Sequence, residues 1–455
     1  MADHLAHHPV QPGNRSMVLA ACVLASSMSF IDSTALTVAL PQLRASLGAD
    51  LAAVQWVVNG YTLALASLTL IGGALADAHG KARILAIGCL LFGSASIACA
   101  LAPSAAWLIV ARVVQGVGAA MVTPSSLALI GATYPKEERS QAIGVWAAAS
   151  ALTTAAGPVI GGWLTQTFGW QAVFWINPPI AAAAVGLLWR YAPDDAHEPR
   201  KFDLIGAAII AVALGALAWA LSRIGGSEGQ AGSSTPGIVI ALVAALGVAG
   251  LAVYVFWERV SDHPMTPPRM ADNAVFVGLN LATLLIYTGL SIMMFLLPFE
   301  LIDRRHLSPT DAGLIFLPLT LALGLLSQLF GRIADKVGAR LMLIAGPLVA
   351  AAAFIWLALG QGASLTLGVI GPMSLLGLSL AVVVAPLTAA VMSSVADADE
   401  GLASGINNAT ARIAQLGGVA MAAGVGALAA GFQIGLVLAA VMMAGGALIA
   451  ALKTR

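Results

Sequence analysis

Apolar runs, each about as long as a membrane is thick, follow one another along nearly the whole chain. A helix crosses the hydrocarbon layer with about 20 mostly apolar residues, each rising 1.5 Å. By that measure roughly fourteen runs qualify. Six begin near Met17, Val54, Arg83, Trp107, Ala142 and Trp170, two near Asp203 and Pro236, and six near Asn273, Ala312, Arg340, Ser364, Ser404 and Phe432. Lipid offers backbone N–H and C=O groups no partners, so runs of this kind must close their hydrogen bonds internally, as helices. The links between them are short and leave no room for a soluble domain. With 9% charged residues and a mean hydropathy of +0.92, the chain is far more apolar than soluble proteins, which are about one-quarter charged.

Charge and cysteine usage exclude several functions. Lys+Arg and Asp+Glu both number 21, which leaves no basic surplus for a nucleic-acid partner. Cys22, Cys89 and Cys99 all fall inside apolar runs, which speaks against a disulfide framework. The run from Met17 reads as a retained first helix, with no cleavable signal before it. His4, His7 and His8 suit a cytosolic tail over residues 1–16 better than a metal site. Gly80-Lys81 is followed by Ala82 and lacks the upstream glycine of a phosphate-binding loop, so ATP hydrolysis finds no support. No nucleophile–base cluster or zinc spacing appears, and no enzyme activity, metal or cofactor is expected.

One short polar hairpin is written twice. Gly73-x-x-x-Asp77-x-x-Gly80-Lys81-x-Arg83 joins the second run to the third. Gly331-x-x-x-Asp335-x-x-Gly338-x-Arg340 joins the tenth to the eleventh. Setting aside runs seven and eight leaves six plus six, with the hairpin at the same place in each half. That is the pattern of a membrane protein built from two related halves. The expected division is residues 17–190, a linking pair over 203–257, and residues 273–451. With a cytosolic N-terminus, the inner segments hold 15 Lys/Arg and the outer links 4, while Arg112 and Arg412 lie within runs. That excess places both termini in the cytoplasm.

Two ionisable residues stand out within the runs. Asp32 lies in the first, in Asp32-Ser-Thr34-Ala-Leu-Thr37-Val-Ala-Leu-Pro41. A carboxylate there costs several kcal/mol unless it protonates, pairs or lines a wet cavity, which suits a group that loads and unloads a proton. The alternative is a structural hydrogen bond to Ser33 or a neighbouring helix. Arg112, in Arg112-x-x-Gln115-Gly116-x-Gly118, cannot release its proton but can stabilise a nearby acid. It is a candidate tuning partner or a structural ion pair, and spacing does not establish whether the two touch.

Gly157-Pro158-x-x-Gly161-Gly162 thins and bends the fifth run. Asp77 and Asp335 can cap free N–H groups or pair with Lys81, Arg83 and Arg340. Asn59, Tyr61, Gln115, Asn280, Tyr287, Asn407, Asn408 and Arg412 are candidates to line a central cavity, or to bond helix to helix. Glu300, near the outer end of the ninth run, is either a solvated rim residue or an acidic contact for a cation.

Taken together these segments resemble the major facilitator superfamily, in particular its 14-helix drug:proton antiporter branch. Asp32 to Pro41 looks like that branch's first-helix pattern, and Gly73 to Arg83 resembles the cytosolic gating motif. Arg112 to Gly118 is similar to R-x-x-Q-G-x-G, and Gly157 to Gly162 to the antiporter motif. Trp170, Phe174, Asn177 and Pro179 keep a further pattern, and Gly401 to Gly418 resembles the thirteenth helix. Ala78 stands where the gating motif usually has a basic residue, and Gln171-Ala172 replaces an Arg-Trp pair. The resemblance implies an all-α membrane protein of fourteen helices that exports amphipathic or aromatic small molecules in exchange for protons. Alternating access in the cell inner membrane, most simply by a monomer, would then be driven by the proton gradient alone. A dedicated exporter or importer of one endogenous metabolite on the same fold is the alternative.

Overall fold

The computed structural model describes residues 12–192, 203–223, 236–261, 268–396, 400–426, 428 and 430–453. The side chains of a few of these, among them Asp77 and Asp335, lie outside the described set, as do residues 1–11 of the histidine-bearing tail.

Among the described residues the chain is entirely helical. In order come α1 (Pro12–Leu47), α2 (Leu51–His79), α3 (Lys81–Ala100), α4 (Ala105–Thr133) and α5 (Lys136–Phe168). Next are α6 (Ala172–Trp175), α7 (Asn177–Tyr191), α8 (Leu204–Arg223), α9 (Gly237–Val260), α10 (Pro268–Ala271) and α11 (Ala274–Phe299). The last are α12 (Pro309–Leu314), α13 (Leu317–Val337), α14 (Ala339–Leu359), α15 (Gly371–Ser393), α16 (Glu400–Gly426) and α17 (Gly431–Lys453).

Twelve helical stretches of the described residues are long and apolar enough to cross a membrane. Two long helices fall outside that set. The described stretch of α8, Ile205–Leu221, is apolar but shorter, and α16 carries Asn407, Asn408, Arg412 and Gln415 along its length. The fourteen runs of the sequence therefore appear as twelve clear spans and two further helices.

Boundaries moved where local chemistry extends or breaks a helix. The first helix starts at Pro12 rather than Met17, and Arg15 in its polar first turn reaches Glu138 of α5 at 3.4 Å. The sixth run is broken at Ile176, between α6 and α7. Pro178 and Pro179 have no N–H to continue an incoming helix, yet fit the first turn of a new one. A π turn over Glu300–Arg304 prolongs α11 beyond Pro298.

The two hairpins share one geometry. Gly80 (φ 95°) and Gly338 (φ 90°) each end one helix and begin the next. That left-handed backbone conformation is open to glycine and costly for residues with a Cβ. The side of the bundle that carries both glycines is called the hairpin side below.

Small residues let helices approach closely. Gly116 of α4 lies on the backbone of Tyr61 in α2, and Gly118 on that of Phe92 in α3. Gly157 and Gly161 of α5 lie against Thr34 and Ala35 of α1. On the far side α5 also reaches the last six long helices. A Cβ at Gly162 would strike the Pro309 carbonyl, and one at Gly313 would strike that of Pro158. Gln166 Oε1 accepts from the Thr310 N–H at 3.3 Å, and a Cβ at Gly426 of α16 would meet the Leu51 side chain of α2 at 3.0 Å. These contacts close the far side between the first six helices and the last six. The helix α8 covers the seam of α2 and α16 through Leu214 and Ala218, which pack with Leu416 and Ala420. Beyond it α9 turns Ile238, Leu242, Leu246 and Phe256 outward, as lipid-facing side chains are.

Candidate functional site

Asp32 and Arg112 meet at the centre of the first six helices, and both are buried, with 0% and 1% of their surface exposed. Arg112 Nη1 donates to Asp32 Oδ2 at 2.5 Å. The other carboxylate oxygen, Oδ1, accepts from Gln115 Nε2 at 2.9 Å and from Asn177 Nδ2 at 3.0 Å. Arg112 also donates through Nη1 to Gln115 Oε1 at 2.7 Å and through Nε to the Val57 carbonyl at 3.0 Å. Its guanidinium lies over the Tyr61 ring, 4.2 Å from the centroid, where the ring's electron-rich face attracts a cation.

Ser96 of α3 closes the cluster. It accepts from Asn177 at 2.8 Å and Gln115 at 3.2 Å, and donates to the Phe174 carbonyl at 3.1 Å. Five long helices therefore converge on one carboxylate: α1 supplies it, α3, α4 and α7 supply side chains, and α2 supplies a carbonyl. A charge in an apolar interior needs this saturation, since an ion stripped of water is costly unless paired and hydrogen-bonded. The break at Ile176 puts Asn177 at the head of α7 and turns its amide toward Asp32.

Several candidate residues bond helix to helix, the second of the two roles open to them. Gln115, Asn59 and Tyr61 are buried. Gln115 is part of the Asp32 cluster. Asn59 donates to the Leu416 carbonyl of α16 at 3.2 Å, and the Tyr61 hydroxyl meets Ser29 at 2.7 Å. Polar groups surrounded by apolar helices gain more from each other than from an empty space. Asn280 bonds the Phe276 carbonyl and accepts from Asn407, which also donates to Thr283. Tyr287 and Arg412 are half-buried and Asn408 is exposed. Glu300 is no solvated rim residue: it is buried on the far side, 3.6 Å from Arg304 and 3.7 Å from Arg305.

At the hairpins, Gly73 approaches Pro124 of α4, Lys81 is half-buried and Arg83 is exposed. Arg340 donates to the Ala451 carbonyl of α17 at 3.2 Å, a favourable place for a cation at a helix C-terminus. The charge pairing expected of Asp77 and Asp335 lies outside the described residues. Pro158 and Gly162 form the far-side seam with Gly313 and Pro309, as described above.

The sequence does not tie Ser96 or Asn177 to Asp32, although Asn177 belongs to the pattern that begins at Trp170. Ser96 carries no signal that separates it from other serines, whereas Asn177 is marked by Pro178-Pro179, which announce a helix start beside it. The sequence does not single out Gln55 of α2 either. Its amide is buried, and among the described residues neither its oxygen nor its nitrogen has a hydrogen-bond partner.

The sequence profile of the Major Facilitator Superfamily matches residues 22–278 and 279–455. Multidrug resistance protein Stp of Mycobacterium tuberculosis is 34% identical over 408 residues, covering 89% of this chain and 74% of that one. Methylenomycin A resistance protein of Bacillus subtilis is 32% identical over 96% of this chain and 92% of its own. Methyl viologen resistance protein SmvA of Salmonella typhimurium is 33% identical over 82% and 75%. Two crystal structures share the fold at low identity. A bacterial homolog of the human lysosomal transporter Spinster, inward-facing and unoccupied, aligns with a TM-score of 0.69 and 17% identity, covering 98% of both chains. A peptide transporter, POT, in complex with sulfate, aligns at 0.70 and 15% identity, covering 98% of this chain and 95% of that one. The chain belongs to the Major Facilitator Superfamily and is a multi-pass membrane transporter, not an enzyme.

Proposed function

We propose that the chain is a proton-coupled antiporter that exports amphipathic or aromatic small molecules, drugs among them, by alternating access. Asp32 carries the proton and Arg112 sets when it is released. The observation that carries this reading is the saturated, wholly buried Asp32 carboxylate in a membrane-spanning helix. Protonating it removes the charge that holds Arg112 and weakens the ties to Gln115 and Asn177, which loosens α1 from α4 and α7. Because the carboxylate is sealed, a proton reaches it only when those helices shift, and such gating is what an exchanger needs.

The six helices of residues 17–190 and the six of 273–451 act as two rocking halves, with the pair over 203–257 held against their seam to complete fourteen spans. Both termini lie in the cytoplasm and the membrane is the bacterial inner membrane. A monomer suffices, and no cofactor is needed. Each proton entering releases ~2.3 kcal/mol per 100 mV of membrane potential, enough to drive export uphill without ATP. Relatives named for resistance to drugs or toxic compounds support export as the direction.

A strain lacking its own efflux pumps tests the function. Expression of the wild type is expected to raise tolerance to several unrelated toxic compounds, and an uncoupler or Asp32→Asn to erase the gain. Tolerance unchanged by the uncoupler would exclude proton coupling.

A further inference from the structure

The charged side chains within the membrane do not balance locally. Asp32 is matched by Arg112, and Glu300 by Arg304 and Arg305. Arg412 has no such match. It lies midway along α16, half-buried. Among the described residues its one hydrogen bond runs from Nη1 to Gln415 Oε1 on its own helix and is long at 3.5 Å. Among the described residues no carboxylate pairs with it. A guanidinium offers five N–H donors, and the buried Arg112 shows how fully this protein satisfies one, with Asp32, Gln115 and the Val57 carbonyl as acceptors. Ionisable residues at membrane depth face the bundle interior or a water-filled cavity and mark substrate or ion pathways.

Its surroundings place it at the seam of the two halves. Tyr61 of α2 and Tyr287 of α11 are both within reach of its charge. One turn further along α16, the Leu416 carbonyl takes the bond from Asn59. Tyr61 is also the ring beneath Arg112, so one side chain is common to the surroundings of both arginines. The polar residues nearest to it in sequence, Asn408, Thr410 and Gln415, are neutral. Neither intramembrane carboxylate named above is left unclaimed to receive a cation.

We infer that Arg412 is a cargo-binding residue whose guanidinium donates to oxygen acceptors, so that the transporter selects uncharged, carbonyl- or hydroxyl-bearing amphiphiles and rejects permanent cations. This rests on the exchange proposed above, which also argues against anions as the favoured class. An anion beside Asp32 would draw a proton onto it, whereas exchange requires cargo to expel one. Uncharged cargo avoids that conflict and leaves the proton as the charge that crosses. Lysine keeps the positive charge but loses the planar fork of donors, and methionine removes both.

The test uses the full-length protein in proteoliposomes with an imposed pH gradient and a size-matched panel, with chloramphenicol among the uncharged compounds and methyl viologen among the permanent cations. The wild type is expected to move uncharged members against their concentration difference and to move cations no faster than empty vesicles. Arg412→Met should lower kcat/KM for chloramphenicol about tenfold or more, with Arg412→Lys in between. Export of cations as fast as uncharged compounds, export of no uncharged member, or Arg412→Met equal to the wild type would each overturn the assignment. The wild-type comparison stands even if a variant fails to fold. Uncharged cargo that moves uphill equally well without a proton gradient would instead defeat the exchange reading and leave the preference for uncharged cargo standing.

Discussion

Arg112 of α4 and Asp32 of α1, 80 positions apart in sequence, meet at 2.5 Å with both side chains buried. Removing one partner of such a pair strands the other in an apolar interior, at a cost of about 3–5 kcal/mol. Arg112→Met is therefore expected to lower thermal stability strongly, because it leaves the buried carboxylate without its cation. Asp32→Asn keeps an acceptor for the arginine and should cost less. Asp32→Leu combined with Arg112→Met should be more stable than Arg112→Met alone. Thermal unfolding in detergent ranks the three, and a double variant as weak as Arg112→Met would contradict the pairing.

Gly162 and Gly313 bring α5 and α12 into backbone contact across the far-side seam. Gly162→Leu would place a side chain where the Pro309 carbonyl lies and should hold that side open. Gln166→Cys, near the seam, reports the change. It should label faster with a membrane-impermeant maleimide in the Gly162→Leu background. The native Cys22, Cys89 and Cys99 are buried and give a low background. Equal labelling rates would show that the seam tolerates the added side chain.

Gln55 is an amide buried without partners. Asn59 meets Leu416 and Leu51 meets Gly426, so antiparallel register sets Gln55 opposite Ala420 to Ala422, an apolar stretch. Each buried unsatisfied group costs ~1–3 kcal/mol, and parting α2 from α16 would return the amide to water. Gln55→Leu should raise the melting temperature of the far-side-closed state and slow turnover. A fall in melting temperature would mean that the amide is satisfied after all.

Glu300 is 5% exposed and relies on Arg304 and Arg305, the second of which also donates to the Gly360 carbonyl at 3.2 Å. Arg305→Ala removes the less exposed partner and the tie to the end of α14. It should cost ~1–3 kcal/mol, less than breaking a sole buried pair because Arg304 remains. Glu300→Gln in that background should recover part of the loss, since it removes a buried charge left with one exposed partner. Thermal unfolding of both variants decides the matter.

The apolar runs, the paired hairpins at Gly80 and Gly338 and the presence of Asp32 and Arg112 inside apolar runs are all legible in the sequence, because each rests on local composition or spacing. What brings Asp32 to Arg112 is not. Their contact, and those of Asn177 and Ser96, depend on how helices far apart in the chain are rotated about their axes. Gln115 looks like any polar residue that could line a cavity, and only the packing shows it turned toward Asp32. The glycines of Gly157 to Gly162 announce a thin helix, but not that Gly157 and Gly161 face α1 while Gly162 faces α12. The helix break before Asn177 was readable from Pro178-Pro179.

The most direct measurement follows protons and cargo together in vesicles of the purified protein, with a pH-sensitive dye on one side. Adding cargo to the wild type should move protons in the opposite direction, and Asp32→Asn should abolish both fluxes while the protein stays folded and inserted. Uphill cargo movement that persists at full rate after an uncoupler collapses the proton gradient, or in Asp32→Asn, would contradict the role assigned to this carboxylate.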